Sequence, residues 1–371
     1  MSTSTTTARP PILPARGIAT VKSVLSGDTV VLTGRATAPG QRAASVIFTL
    51  ERVTAPRMAS KGNGNMDDPG AFPAREWLRK LVVGKQVAFE TRRQGANAGD
   101  RVYGLLYMPK EMGSPEKINI AVEAVRNGYA TPKVSLDDDE ALLSENDPVV
   151  EYERALQSAL QEAKSKNVGI HGSNPLVRSI KNAGEDFQTL ELIDKVKKFC
   201  IGNTVNCVIE YVFDGSRFRV QIIDPEMASA GLQYANFTLI VGGVASPRVG
   251  SSRSDPPTES EPFAEEAKVF VEMRLLHREL KISLHGTDKS GICAVGTVHH
   301  PRGNIGVELL KNGLARVSDW SARMMNPLDI PAFRVAENNA KVSVIYIYQN
   351  EQKKYDSISY HFYYIIFSVQ I

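Results

Sequence analysis

The sequence predicts an α+β protein made of two copies of one small β-barrel with about three helices packed on it. Three observations predict this. The chain is 371 residues long, and at about 100–200 residues per domain that length suggests two domains, each able to bury a core. Apolar runs of strand period alternate with segments of helical period, a mixed pattern. A set of short motifs also recurs in one order at offsets between about 185 and 191 residues, and internal repetition outweighs any single motif.

In chain order, residues 1–16 are rich in Ser, Thr and Pro, bury little, and read as a disordered N-terminal tail. Val21, Val24, Val30 and Leu32 flank Ser26-Gly27-Asp28-Thr29, two β-prone runs about a tight turn, which signals a hairpin. A third β-rich run covers 44–53 and ends at Ala55-Pro56-Arg57, followed by a Gly/Asn/Asp loop at 60–70. Phe72, Trp77, Leu78 and Leu81 fall near helical spacing, with Gly84 as the stop. Strands are expected at 87–91 and 102–108, a helix at 119–127 closed by Gly128, and a third helix at 148–166 with Tyr152, Leu156, Leu160 and Ala163 on one stripe. The second half repeats this order. Asn119-Ile120, Glu123 and Asn127-Gly128 recur as Asn304-Ile305, Glu308 and Asn312-Gly313; Ala55-Pro56-Arg57 recurs as Ser246-Pro247-Arg248, and Gly27 as Gly215. The expected division is a first domain at 17–173, a linker at 174–194, a second domain at 195–341 with its last helix incomplete, and a tail at 342–371.

That tail is compositionally foreign. It lacks Ala, Gly, Leu, Pro and Arg, yet holds Tyr346, Tyr348, Tyr355, Tyr360, Tyr363 and Tyr364, half of the 12 tyrosines. Tyr, Ile, Phe, Asn and Lys have AT-rich codons, so a read-through intron or a frameshift gives such a composition; a terminal strand pair or partner-binding edge is the alternative. On the first reading the natural protein is longer.

Composition narrows the class. Forty-four Lys+Arg against forty-one Asp+Glu give +3, which excludes a histone-like binder and leaves local patches as the route to nucleic acid. Three cysteines form no disulfide framework. The first residues lack a secretory apolar core, and no run of about 18 apolar residues occurs, so a membrane span is not expected. A soluble intracellular protein is the expectation.

The hairpin segment Val24-Leu25-Ser26-Gly27-Asp28, the helix start Phe72-Pro73-Ala74-Arg75-Glu76, Gly84-Lys85, Tyr103-Gly104, and in the second copy Glu261-Pro262-Phe263-Ala264 and Val317-Ser318-Asp319-Trp320 resemble the staphylococcal nuclease fold. In tandem they resemble the Tudor staphylococcal nuclease family over roughly 17–341. The resemblance implies an OB-type five-stranded barrel in each copy. In that family further nuclease-like repeats and a Tudor domain follow, and this sequence has neither. The resemblance also implies where a nuclease would hold calcium with carboxylates, activate water with a glutamate and neutralise phosphate with two arginines. In the first copy Asp28 matches the hairpin carboxylate. Thr49 and Tyr103 stand for the arginines, Thr54 for the second aspartate and Arg57 for the glutamate. In the second copy Asp214 matches an outer carboxylate, Ser216 replaces the inner one, and Ala245, Arg248, Ile240 and Val295 fill the rest. One carboxylate beside an arginine repels a divalent cation and suits a phosphate oxygen. A degenerate site is therefore expected, with Asp28 and Asp214 vestigial, no confident catalytic residue and no cofactor, calcium being implied only if a nuclease persists.

What remains is binding. Arg57 and Arg248 are either phosphate contacts or solvated turn residues. Arg75, Arg79, Lys80, Arg92, Arg93 and Arg101 with Tyr103 form either an RNA-tracking stripe or a charged helix face, and Lys197 and Lys198 carry the same ambiguity. For Asp28 a turn aspartate is the commoner role and a vestigial metal ligand the alternative. The acidic run at 137–140 reads as a solvated helix start, Cys200 and Cys207 lack zinc-like partners, His299-His300 read as surface imidazoles, and Trp77 and Trp320 as helix packing. The resemblance implies an RNA- and protein-binding scaffold of RNA silencing, RNA metabolism and transcriptional coactivation. Its partners are RNA and the proteins of silencing or transcription complexes, in the cytoplasm and also the nucleus, with no membrane. The alternatives are a divalent-metal-dependent ribonuclease and a non-functional fragment.

Overall fold

The computed structural model describes residues 13–34, 43–60, 66–94, 101–110, 116–133, 147–182, 187–251, 256–343 and 347–348. The chain divides into two compact units, Met1–Ile180 and Lys181–Ile371. The acidic run at 137–140 and most of the tail tyrosines lie outside the described residues.

The first unit begins with β1 (Arg16–Ser26), β2 (Thr29–Thr33), β3 (Ser45–Leu50) and β4 (Val53–Thr54). Then come α1 (Ala71–Val82), β5 (Gln86–Gln94), β6 (Arg101–Pro109), β7 (Lys117–Asn119), α2 (Ile120–Arg126), β8 (Thr131–Pro132) and α3 (Pro148–Ser165). The antiparallel order β3-β2-β1-β5-β6 is closed by a parallel pairing of β3 with β6, so five strands make a barrel without edges. Closure brings β6 so near its neighbours that a Cβ on Gly104 would stand 2.0 Å from the Glu90 carbonyl oxygen and 2.8 Å from the Phe48 ring. Val21, Val24, Val30, Leu32, Phe48 and Leu106 fill the interior. Helix α2 starts where Asn119 Oδ1 accepts from the Ala121 and Val122 amides, a side-chain cap that satisfies otherwise orphan donors. Asp147 caps α3 in the same way, and Tyr152 of α3 donates to the Glu51 carbonyl, 2.7 Å.

The second unit starts with β9 (Lys181–Asn182), α4 (Phe187–Cys200), β10 (Thr204–Asp214), β11 (Arg217–Ile222), β12 (Ala235–Val241) and β13 (Val244–Ala245). It continues through α5 (Ala264–Leu275), β14 (Glu279–Thr287), β15 (Ala294–His300), β16 (Gly303–Asn304), α6 (Ile305–Lys311), β17 (Arg316–Val317), α7 (Asp319–Ala322) and α8 (Ile330–Val342). Strands β12-β11-β10-β14-β15 form the same barrel, closed by the parallel pair β12–β15. Gly296 lies under the same constraint, 2.6 Å from the Ser283 carbonyl to a would-be Cβ. Asn304 repeats the Asn119 cap on the Gly306 amide. The first hairpins match in detail: irregularities between Val21/Ser23 and Val24/Ser26 recur between Ile209/Tyr211 and Val212/Asp214. Such bulges raise local twist and re-aim side chains.

Four expectations need correction. The tail at 1–16 ends too late, because the amide and hydroxyl of Thr91 donate to the carbonyls of Ala15 and Pro14, and Leu13 packs on the core. The linker at 174–194 is largely built in. Arg178 forms a buried ion pair with Asp67, 2.9 Å, and lies 4.0 Å from the Phe72 ring, β9 joins the second sheet, and α4 occupies the rest. The last helix of the second copy is present as α8, shorter than α3 but docked through Phe333, Ala336, Glu337 and Ala340. The tail does not separate at 342: Ile347 and Tyr348 are buried with Ala340 against Phe263, and the Ile347 amide donates to the Gly313 carbonyl. As for the tryptophans, Trp77 lies against Tyr129, ring centroids 5.3 Å apart, whereas Trp320 is 42% exposed and only partly packed.

Candidate nucleic-acid interface

The β1–β2 turn sits tightly on its unit, because a Cβ on Gly27 would come 2.7 Å from the Ala74 and 2.9 Å from the Ala55 side chain. That approach points Asp28 inward. Its Oδ1 accepts from the Ser26 hydroxyl at 2.6 Å and the Thr29 hydroxyl at 2.9 Å, and its Oδ2 from the Ala55 amide at 3.0 Å. Asp28 therefore fastens the hairpin to the chain leaving β4. Thr49 and Tyr103 are register partners across the barrel-closing pair, and the Arg101 guanidinium donates to the Thr49 hydroxyl at 3.3 Å. In the second unit Asp214 Oδ1 accepts from the Ser216 amide, the Ser216 hydroxyl and the Ser246 hydroxyl, while Arg217 Nε lies 3.4 Å from Oδ2. Ile240 and Val295 are again register partners, and both are apolar.

Calcium takes about six to eight oxygen ligands, several of them carboxylate. Each unit offers one carboxylate whose oxygens already accept protein hydrogen bonds, and in the second Arg217 lies beside it. Among the described residues no three His, Cys, Asp or Glu side chains converge as a metal site. The residues present do not fit the ion.

The expected basic residues separate into groups. Arg75 and Arg79 correct the stripe: they are 4% and 3% exposed. Both pair with Glu76, at 3.3 and 2.7 Å, and Arg75 Nε donates to the Val24 carbonyl. They fix α1 to β1 because their long stems can lie along apolar surface while Glu76 neutralises the heads. Lys80 is exposed on the same helix. On β5 and β6 the structure brings Arg93 to Tyr103, while Arg101 turns to Thr49 and Arg92 lines a pocket with Glu51, Arg52 and Tyr152. The Arg93 guanidinium lies 4.0 Å from the Tyr103 ring centroid, yet Arg92 pairs with Glu90 at 3.1 Å and Arg93 with Glu51 at 3.6 Å. Carboxylates thus offset much of that charge. Arg57 and Arg248 are both exposed. Their backbone amides are held alike, Arg57 by Asp68 at 3.0 Å and Arg248 by Glu261 at 2.7 Å, which leaves the side chains outside the turn. Lys197 pairs with Asp194, and Lys198 lies over Phe199 on α4.

The sequence reading missed the strongest surface. On β10, Tyr211 and Phe213 face outward at strand spacing, with ring centroids 5.0 Å apart in an edge-on arrangement. Tyr211 is 50% exposed. Arg217 and Arg219 of β11 lie 5.2 and 5.6 Å from the Phe213 ring, and Lys268 of α5 lies 5.4 Å from the Tyr211 ring. Two aromatic faces ringed by three cations are the components that bind single strands, stacking for bases and charge for the backbone. The matching positions in the first unit are Ser23, Leu25, Thr29, Val31 and Arg75, so this face is particular to the second. The signal lay in Tyr211, Phe213, Arg217 and Arg219 spaced two apart on either side of Asp214-Gly215-Ser216.

Two edgeless five-stranded barrels, each capped by helices at matching motifs, define a tandem protein of the staphylococcal nuclease type. The family profile described as "Staphylococcal nuclease homologue" matches residues 238–350. The chain is 32% identical over 340 residues to "Staphylococcal nuclease domain-containing protein 1" of Drosophila melanogaster, covering 90% of this chain and 33% of that protein. It is 29% identical over 373 residues to "Ribonuclease TUDOR 2" of Arabidopsis thaliana, covering 89% and 36%. A second "Staphylococcal nuclease domain-containing protein 1", from Schizosaccharomyces pombe, is 29% identical over 309 residues, covering 82% and 32%. The chain belongs to the Tudor staphylococcal nuclease family, and it spans about one third of the length of these curated relatives.

Proposed function

We propose that this chain is an RNA-binding pair of nuclease-type modules that holds a single strand on the second unit and has a degenerate calcium site in both. The observation that carries the reading is the Tyr211–Phe213 pair with its ring of Arg217, Arg219 and Lys268. Family membership supports a nucleic-acid-related role. The larger setting is an RNA- and protein-binding scaffold of RNA silencing and transcriptional coactivation, in the cytoplasm and nucleus, with protein partners drawn from those complexes. Modules at about 17–173 and 195–341 are the working division, extended by Leu13–Ala15 on the first and by β9, α4 and Tyr348 on the second. For the described residues, no helix is long and apolar enough to cross a membrane.

A second reading is a divalent-metal-dependent ribonuclease, and the name Ribonuclease carried by TUDOR 1 and TUDOR 2 of Arabidopsis thaliana supports its ribonuclease part. One experiment separates the two: unstructured RNA is titrated with the purified chain in chelator and in calcium, with binding and cleavage followed together. Binding that persists in chelator and weakens steeply with salt supports the first, since counterion release needs no metal. Cleavage that chelator abolishes, and that Asp28→Ala abolishes in a folded variant, supports the second.

A further inference from the structure

At the far end of α5 the second unit has a cavity of about 340 Å³ that no part of the interface above uses. Arg274 of α5, Arg278 just beyond it, His300 of β15 and Arg302 of the following turn line it, opposite one carboxylate, Glu308 of α6. Glu308 is already paired with Lys311 at 2.9 Å. Among the described residues no carboxylate stands within ion-pair distance of the three guanidinium groups. Arg274 is held in place by its donation to the Phe270 carbonyl at 2.8 Å and by the Phe270 ring 3.5 Å from its guanidinium. The Arg302 amide donates to His300 Nδ1 at 3.1 Å, which fixes the imidazole at the rim.

Glu308 offsets the positive field only in part. Burial holds the His300 pKa below the ordinary value, and Arg278, Arg302 and Arg274 depress it further against a weaker pull from Glu308. The fold does not require the whole of this charge, as the first unit shows. There the eleventh residue of the helix is Leu81 where α5 has Arg274. Lys85 and Lys117 match Arg278 and Arg302, so those two positions stay cationic but lose the guanidinium fork. The residue paired with the one before the Asn cap is Met108 rather than His300. Three guanidiniums with forked donors, concentrated in a cavity, suit a tetrahedral oxyanion better than any neutral ligand.

We propose that this cavity is a phosphate-binding site that takes a phosphate group of an RNA strand, at a 5′ end or within the chain. The proposal rests on the RNA-binding reading. The test uses the full chain, its Arg278→Gln/Arg302→Gln variant and a Glu308→Gln variant. It uses inorganic phosphate and two RNA probes of one sequence, bearing a 5′-phosphate or a 5′-hydroxyl. Inorganic phosphate is expected to move the His300 imidazole resonances and raise their titration midpoint in the wild type, and to do neither in the double variant. RNA affinity is expected to fall at least tenfold in the double variant, with the salt slope smaller by about 1.4 for two lost contacts on a single strand, and to rise several-fold in Glu308→Gln. A loss confined to the 5′-phosphorylated probe assigns a strand end, and an equal loss for both assigns an internal phosphodiester. Wild-type affinity in a folded double variant, with a silent His300, overturns the site and leaves the RNA-binding reading standing. If the wild type binds neither RNA, that reading falls and this assignment with it, whatever His300 does with inorganic phosphate.

Discussion

Replacing Tyr211 by Ala separates binding from stability. The ring is half exposed and touches Phe213 edge-on, so its truncation removes an aromatic pair of about 0.5–1.5 kcal/mol and little core. Thermal unfolding of the second unit should shift by only a few degrees. If a base stacks on Tyr211, the variant forfeits about 1–3 kcal/mol of binding. At about 1.4 kcal/mol per tenfold, that is a loss of roughly 5- to 150-fold in affinity. Fluorescence anisotropy with a labelled unstructured RNA, at several salt concentrations, reads the loss directly. Lys268→Gln is the companion, because it removes a charge beside the same ring and no stacking surface. It should reduce the salt slope by about 0.7 and cost less affinity at high salt than Tyr211→Ala. A folded Tyr211→Ala protein that binds RNA with wild-type affinity would refute the assignment of this face.

Asp28→Ala removes the acceptor for two hydroxyls and the Ala55 amide, and should lower first-unit stability by about 1–3 kcal/mol in urea melts; calcium should leave the wild-type melting temperature unchanged, and a calcium-dependent rise would reinstate a metal site. Gly104→Ala forces a methyl to within 2.0 Å of the Glu90 carbonyl, so the first barrel should not close, and circular dichroism should show loss of its cooperative transition. Glu337 is held below the ordinary carboxyl range: burial raises its pKa, but donation from the Val317 amide and the charges of Lys341 and Arg334 outweigh it. A depressed folded-state value adds stability that is full above the unfolded value of about 4.3 and is lost as pH falls through the folded one. Glu337→Gln should therefore flatten the acid side of the second-unit stability curve, measured as urea midpoints at about pH 6 and in the acid limb below about pH 4.3.

The barrel-and-helix order was legible because both copies write it twice. The Asn119 and Asn304 caps and the turn glycines Gly27 and Gly215 are local devices whose residues name their own geometry. Burial of charge was not legible. Arg75 and Arg79 look like a solvated helix face in one dimension, and only the docking of α1 on β1 turns them inward toward Glu76 and the Val24 carbonyl. The fate of the tail was hidden for a related reason. Composition marks a break at Val342, but packing follows shape, and Tyr348 finds a place beside Glu337 and Ala315 whatever its codons suggest. The interface was half legible: the alternation of Tyr211, Phe213, Arg217 and Arg219 is visible, but Lys268 joins them only through the tertiary contact of α5 with β10. The arginine cavity is the extreme case, because its members come from α5, β15, α6 and the connecting segments beside them.

The paired bulges in the two first hairpins make the molecule its own transplant experiment. Because β1–β2 and β10–β11 twist at the same points, a side chain moved from one to the other keeps its aim. Leu25 and Val31 stand where Phe213 and Arg219 do, so Phe and Arg written there would begin that face in the first unit, whereas Ser23 and Thr29, at the positions of Tyr211 and Arg217, are buried and would first have to be uncovered. The two units are thus cut on one blank and covered differently, and what covers Ser23 and Thr29 confines the aromatic face to the second.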